Sequence, residues 1–300
     1  MSTEEEIQAG AALVYECLKE ALERKRGCLL GRNGTIETQA LQAFAAGPIP
    51  THIAQKLELH AGIFPSTSVS TSAWAKEYIE AIRSIDKDPV VGGWYPPTRE
   101  VELRMLSAWT PQSKQIPLRS LEPYYVEPSK RWTNLLAGKK VCVVTSFAET
   151  AHRQVRERKQ VWGPNADSLL PAETEWVFVQ TGYAPILAHG RAEWPVDCDG
   201  WQDAVAYMEK KISEHRPDVC LIGCGGLGMI LGARCKKLGI ATVVLGGATQ
   251  VLFGIKGNRW ASHSVISKFW TEAWVWPSRD ETPRGAETIE GACYWGVSKN

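Results

Sequence analysis

Four clusters of residues in this chain have the types and spacing to do chemistry. The first is Gly31-Arg32-Asn33-Gly34-Thr35-Ile36-Glu37. A guanidinium at Arg32 suits a phosphate. Glu37 falls in the first turn of an expected helix, where a carboxylate can be a general base, a metal ligand or an ordinary first-turn acid. The second cluster, Gly223-Cys224-Gly225-Gly226-Leu227-Gly228, follows an apolar run and matches G-x-G-x-x-G. Glycines there let a backbone approach a diphosphate, whose charge a helix start favours. A dinucleotide site also wants an acid about 20 residues further on. The next apolar run, Ala241 to Leu245, ends instead in Gly246-Gly247. That absence argues against NAD and against S-adenosylmethionine, and leaves a phosphate-bearing ligand or a turn that merely packs strand on helix. The third cluster, Gly254-Ile255-Lys256-Gly257-Asn258-Arg259-Trp260, sets two cations beside an aromatic ring, as a nucleotide diphosphate would need. A solvated basic turn is its plainer reading. The fourth is Glu149, a second acid just after an apolar strand. The nearby His152, Arg153, Arg156, Arg158 and Lys159 read as a solvated helix face.

The elements that must position these groups follow from periodicity. Residues 3–26 carry an apolar stripe, a cap at Thr3 and acids at Glu4 to Glu6, which predicts a helix stopped by Gly27. A short buried strand at Cys28 to Gly31 leads into the Arg32 turn and a second helix from about Ile36 to before Pro48. Helices are expected at 51–60 and 71–84, and a short strand at Pro89 to Gly92. From Lys139 onward strands and helices alternate. The strands are Val141–Thr145, Trp176–Gln180, Val219–Ile222 and Ala241–Leu245. The helices are Ala148–Val161, Trp201–Glu214, Leu227–Leu238 and Ala248–Phe253. Continuous apolar strands between helices predict a parallel sheet covered on both faces, with ligands at the carboxyl ends of its strands.

Between these regions, residues 94–134 are broken by Pro96, Pro97, Pro111, Pro117, Pro123 and Pro128 and interleaved with Trp94, Tyr95, Trp109, Tyr124, Tyr125 and Trp132. Linkers rarely carry so many aromatics, so the segment reads as ordered irregular structure or as a cover for a substrate. The whole is read as one domain over residues 1–300. Its sub-regions are N-terminal helices with short strands at 1–93, the Pro/Trp-rich segment at 94–138 and a regular α/β nucleotide-binding part at 139–300.

Composition narrows the function classes. The chain has 300 residues and a net charge of +1, which argues against a generally basic nucleic-acid binder. No apolar run reaches the ~18 residues of a membrane span, and the acidic, polar start predicts no signal peptide. Eight cysteines lack any C-x-x-C pattern, so reduced thiols and a cytoplasmic setting are expected. Thirteen tryptophans divide between core packing and ligand stacking.

In combination these stretches resemble the GT-D-fold glycosyltransferases. The resemblance rests on Arg32-x-Gly34-x-x-Glu37 and on Lys139-Lys140-Val141-x-Val143-Val144, followed by Ser146-Phe147 and Gln154. It rests equally on Asp218 through Gly226 and on Leu245-Gly246-Gly247 through Trp260. It implies a Rossmann-like, mostly parallel α/β fold with helices on both faces, a nucleotide-sugar donor such as a UDP-sugar, and a carbohydrate acceptor. It places Arg32, Asn33, Gly34, Thr35, Ser146 and Phe147 at the donor, together with Gly223, Gly225, Gly226, Gly247, Gln250, Phe253, Lys256, Arg259 and Trp260. Glu37, or less directly Glu149, becomes the catalytic carboxylate, as a base or a metal ligand. The family's Arg-x-Gly-Asp-x-Glu pattern goes with Mn2+ or Mg2+. Thr35 stands here where its Asp would be, so any metal would rest on Glu37 alone. Two alternatives stay open: a Rossmann-type NAD or S-adenosylmethionine enzyme, and a non-catalytic nucleotide- or carbohydrate-binding protein.

Overall fold

A computed structural model describes residues 2–296. Seven strands form one all-parallel sheet: β1 (Cys28–Arg32), β2 (Val90–Val91), β3 (Gln115–Ile116), β4 (Lys140–Thr145), β5 (Glu175–Gln180), β6 (Val219–Gly223) and β7 (Ala241–Val244). Their order is β3-β2-β1-β7-β6-β4-β5. The fold is therefore α/β and Rossmann-like. The first strand is hydrogen-bonded between β2 and β7, so the N-terminal and C-terminal parts of the chain share one sheet.

Period-2 geometry divides each strand between two cores. In β4, Val141 and Val143 pack with the helices Glu4–Glu23, Ala148–Arg156 and Ala248–Leu252, whereas Cys142 and Val144 pack with Ser68–Arg83, Trp201–His215 and Gly228–Lys237. This is why the strands read as unbroken apolar runs rather than alternating ones. The helices that follow β1 and β6 lie on one face, and those that follow β4 and β7 on the other. Neighbouring strands thus send their connections to opposite sides, and a crevice opens at the carboxyl edge between them.

The first helix begins on a capping box. Thr3 Oγ1 accepts from Glu6 N at 3.1 Å, and Glu6 Oε2 accepts from Thr3 N at 2.8 Å. It ends at Glu23, and Lys25 at φ 49° makes the turn. Gly27 serves a different purpose from a helix stop: a side chain there would run into the Lys236 carbonyl. The expected helix 148–161 is split into Ala148–Arg156 and Arg158–Trp162. The second piece lets Trp162 Nε1 donate to Leu252 O at 2.8 Å.

The Pro/Trp-rich segment does not cover a substrate along its length. It holds the helix Arg99–Trp109 and the edge strand β3, both absent from the sequence reading, and it buries Leu121, Tyr124, Trp132 and Leu136 under the sheet. Trp132 Nε1 donates to Leu121 O at 3.0 Å. The prolines break helices, but the aromatics supply the apolar area that one sheet face needs. All eight cysteines are free thiols. Among the described residues no helix is long and apolar enough to cross a membrane.

Candidate functional site

A cavity of about 540 Å3 occupies the crevice at the carboxyl ends of β1, β7, β6, β4 and β5. That volume suits a small-molecule ligand. Its wall is built strand by strand. At the end of β1, Arg32 is half-buried, and its guanidinium carbon lies 4.8 Å from the centroid of the Trp94 ring. Among the described residues no carboxylate comes within 4.0 Å of this guanidinium. Trp94 is held there by its Nε1, which donates to Asn33 O at 3.1 Å. Asn33 itself is buried, donating to Glu102 Oε1 at 3.1 Å and accepting from the Tyr78 hydroxyl at 3.2 Å. It is scaffolding for the Arg32–Trp94 pair and does not line the cavity.

Gly34 caps the helix Thr35–Ala46, which puts Glu37 at the third helical position. The Glu37 carboxylate folds back over Gly34 so closely that a Cβ at residue 34 would overlap it. Glu37 lines the cavity yet is buried. Burial raises its carboxyl above the ordinary range, with its own amide and Arg32 pulling the other way. A carboxylate tuned upward is suited to take a proton.

The end of β7 supplies Gly246 and Gly247. Gly246, at φ 58°, lies beside the Arg32 guanidinium, and a Cβ on Gly247 would sit 3.0 Å from Tyr294 Cε1. Arg259 also lines the cavity. It stacks on Tyr294 at 4.6 Å, donates to the Tyr294 hydroxyl at 3.1 Å and pairs with Glu290 at 2.7 Å. At the end of β6, Gly223 and Gly225 reach the cavity, but the loop is closed on one side by protein. A Cβ on Gly225 (φ 57°) would lie 2.9 Å from Ala61 O, and one on Gly226 would lie 3.1 Å from Ala61 Cβ. These glycines admit the 57–63 segment, which corrects the expectation of a diphosphate cradle at Gly226. The ends of β4 and β5 contribute Ser146, Phe147, Thr181 and Tyr183.

Of the sequence candidates, the cavity collects Arg32, Gly34, Thr35, Glu37, Ser146, Phe147, Gly223, Gly225, Gly247, Gln250 and Arg259. The remainder lie elsewhere. Glu149 is exposed on a helix surface and pairs with Arg153 at 3.2 Å. Phe253 is fully buried against Trp176 and Phe178, at 5.5 and 5.7 Å. Lys256 points its ammonium over Trp270 at 5.6 Å, and Trp260 is core. In both the spacing suggested a ligand turn, whereas packing of the C-terminal segment decided the side-chain direction. Asn33 and Gly226 are structural for the reasons above.

Sequence reasoning missed His60, Trp194, Thr249, Glu290, Tyr294 and Trp295, all of which line the cavity. Burial lowers the His60 imidazole, against the pull of Glu290. The available signal was the aromatic pair Tyr294-Trp295 in a glycine-bounded turn, which could have been weighed as a wall.

The residues around Glu37 do not fit a divalent ion. Glu37 has Thr35 where a second carboxylate would be needed. Among the described residues no group of three or more His, Cys, Asp or Glu side chains could hold a metal. A hydroxyl and one upward-shifted carboxyl make a poor donor set for a hard dication.

No protein-family model matches this chain, and no curated protein does. It is similar to one solved structure, titled "Selenomethionine substituted structure of domain of unknown function 1792", with a TM-score of 0.43 and 10% identity. That similarity covers 82% of this chain and 83% of the other.

Proposed function

We propose that this protein is a glycosyltransferase that moves a sugar from a nucleoside-diphosphate donor to a hydroxyl of a carbohydrate acceptor. The observation that carries the reading is the meeting, in one crevice, of two cations and a buried acid. Among the described residues Arg32 has no carboxylate partner, Arg259 sits on the same wall, and Glu37 lies at the start of the neighbouring helix. In this reading Arg32 and Arg259 stabilise the charge that develops on the leaving diphosphate. Glu37 takes the proton of the acceptor hydroxyl as its oxygen bonds to the anomeric carbon. The bond from that carbon to the diphosphate oxygen breaks, and the leaving group departs with the electron pair. Trp94 and Tyr95 flank this end of the cavity and help exclude water, which would otherwise hydrolyse the donor.

A thermal-shift screen with UDP, GDP, CMP, NAD and S-adenosylmethionine, with and without Mn2+, tests the reading. A ligand at 100 times its Kd adds ~2.7 kcal/mol of stability. Stabilisation by a nucleoside diphosphate, undiminished in EDTA, is the expected result. Stabilisation by NAD or S-adenosylmethionine alone would refute it. In an assay with UDP-sugars and candidate acceptors, Glu37→Gln is expected to lose ~10²-fold in turnover, and near-normal turnover would remove Glu37 from the chemistry.

A further inference from the structure

The two guanidiniums of the cavity are differently engaged. Arg32 has no carboxylate partner among the described residues, whereas Arg259 donates to Glu290 Oε2 at 2.7 Å and to the Tyr294 hydroxyl at 3.1 Å. Glu290 itself lines the cavity. Its carboxylate therefore stands where an anionic group of a ligand would meet Arg259. The pair is open to solvent, with the Arg259 and Glu290 side chains 39% and 60% exposed. An exposed ion pair contributes little to stability, so a phosphate can displace this carboxylate.

The backbone that carries Glu290 is unusual. Glu290, Gly291 and Ala292 have φ of 46°, 62° and 59°. Successive left-handed residues are unfavourable where a Cβ crowds the following carbonyl, and two of these three have one. Such a conformation persists only where its surroundings hold it. Here the holds come from one neighbouring turn. Asn258 Nδ2 donates to Gly291 O at 2.9 Å, Arg259 N donates to Cys293 O at 2.9 Å, and the Arg259 side chain takes Glu290. Ile289 and Cys293, on either side, are each 3% exposed, while Glu290 and Gly291 face solvent. The strained turn is thus anchored at both ends and open in its middle. Space is not what selects glycine at residue 291, since a Cβ there would meet nothing within 4 Å. The left-handed φ is what selects it.

We infer that Glu290 is a built-in competitor for the anion site on Arg259, and that the turn 290–292 is a strap which the phosphates of a ligand release. The inference rests on the glycosyl-transfer reading, which puts the leaving diphosphate on Arg259. A phosphate that takes the guanidinium expels the Glu290 carboxylate. The strap then loses one of its holds, and Glu290 and Ala292 are free to relax out of the left-handed region. The reverse exchange helps a spent nucleoside diphosphate to leave. The device lowers affinity, because the apparent Kd rises as the fraction of molecules with an open strap falls.

Calorimetric titration of the intact protein with UDP and with pyrophosphate tests this. Glu290→Gln removes the competing charge and is expected to bind both ligands about two- to fivefold more tightly. Gly291→Ala adds a left-handed penalty to the closed strap without a new contact, and is expected to bind both about threefold more tightly or better. Urea denaturation checks that both variants are folded. Adding Arg259→Ala to Glu290→Gln should abolish the gain, because no guanidinium is left to release. Affinity unchanged or weakened in either single variant would overturn the strap; weakened binding would mean that Glu290 holds Arg259 in place rather than competing for it. A gain that survives Arg259→Ala would overturn it too. If neither the wild type nor either single variant binds UDP or pyrophosphate, the glycosyl-transfer reading itself fails and the strap falls with it.

Discussion

Replacing Arg32 with Met tests the centre of the proposed chemistry. Arg32 is the cation at the end of β1. Its guanidinium lies 4.8 Å from the centre of the Trp94 ring, and no carboxylate among the described residues lies within 4.0 Å of it. Met keeps an unbranched stem to pack on Trp94 while removing the charge. Because no ion pair is broken, the free protein should lose little stability, within about 1 kcal/mol. The bound state is another matter. A hydrogen bond to a charged group contributes ~1.5–3 kcal/mol, which converts to roughly 10- to 150-fold in Kd. Calorimetric titration with UDP measures this directly, and urea denaturation checks the fold. Arg32 also holds down the carboxyls of Glu37, Glu102 and Glu122, which burial pushes up. The rising limb of any pH–rate profile set by Glu37 should therefore move to higher pH in Arg32→Met. An unchanged Kd in a folded variant would refute the diphosphate assignment. A large loss of stability would show that Arg32 is structural.

Three further outcomes are expected. Gly34→Ala has no backbone strain to overcome at φ −87°, but its Cβ would overlap the Glu37 carboxylate, so turnover should fall toward the ~10²-fold loss of Glu37→Gln while UDP affinity changes little. Full turnover would show that the folded-back carboxylate is not the active arrangement. Gly225→Ala meets both a left-handed φ of 57° and the Ala61 carbonyl, so it should cost at least ~1–2 kcal/mol, read from the urea midpoint; an unchanged midpoint would contradict the packing role of this loop. Burial pushes the Glu122 carboxyl up to about 7, against Arg32 and Arg119. Its folded form thus binds more protons than the unfolded chain, whose glutamates titrate near ~4.3, and stability falls as pH rises from there toward about 7. Glu122→Gln should flatten that decline, and an unaltered stability–pH curve would refute it.

Local patterning is enough to define the regular part of this protein. Apolar runs such as Val141 to Val144 are unbroken because both sheet faces are covered, and that same property makes them legible as parallel strands. Capping at Thr3 and the acids after it marked the first helix, since such signals are local. The nearness of Arg32 and Glu37 was legible too, because one tight turn and one helix start hold both. What depends on residues remote in the chain is set by packing. The two-residue edge strand β3 is too short to carry a period and is defined only by its pairing with β2, whereas β2 falls inside the short strand expected at Pro89 to Gly92. Lys256 and Arg259 look alike in sequence, yet one turns over Trp270 and the other into the cavity, according to how residues 270 and 294 pack. The glycines of 223–228 satisfy a phosphate-loop pattern because any close approach selects glycine, and here what approaches is Ala61 at Gly225 and Gly226, Thr249 and Gly246 at Gly223, and Val244 at Gly228. The cavity wall of Tyr183, Trp194 and Trp295 has no motif at all. It exists because residues tens of positions apart meet at the carboxyl edge of one sheet, where sequence separation carries no information about distance.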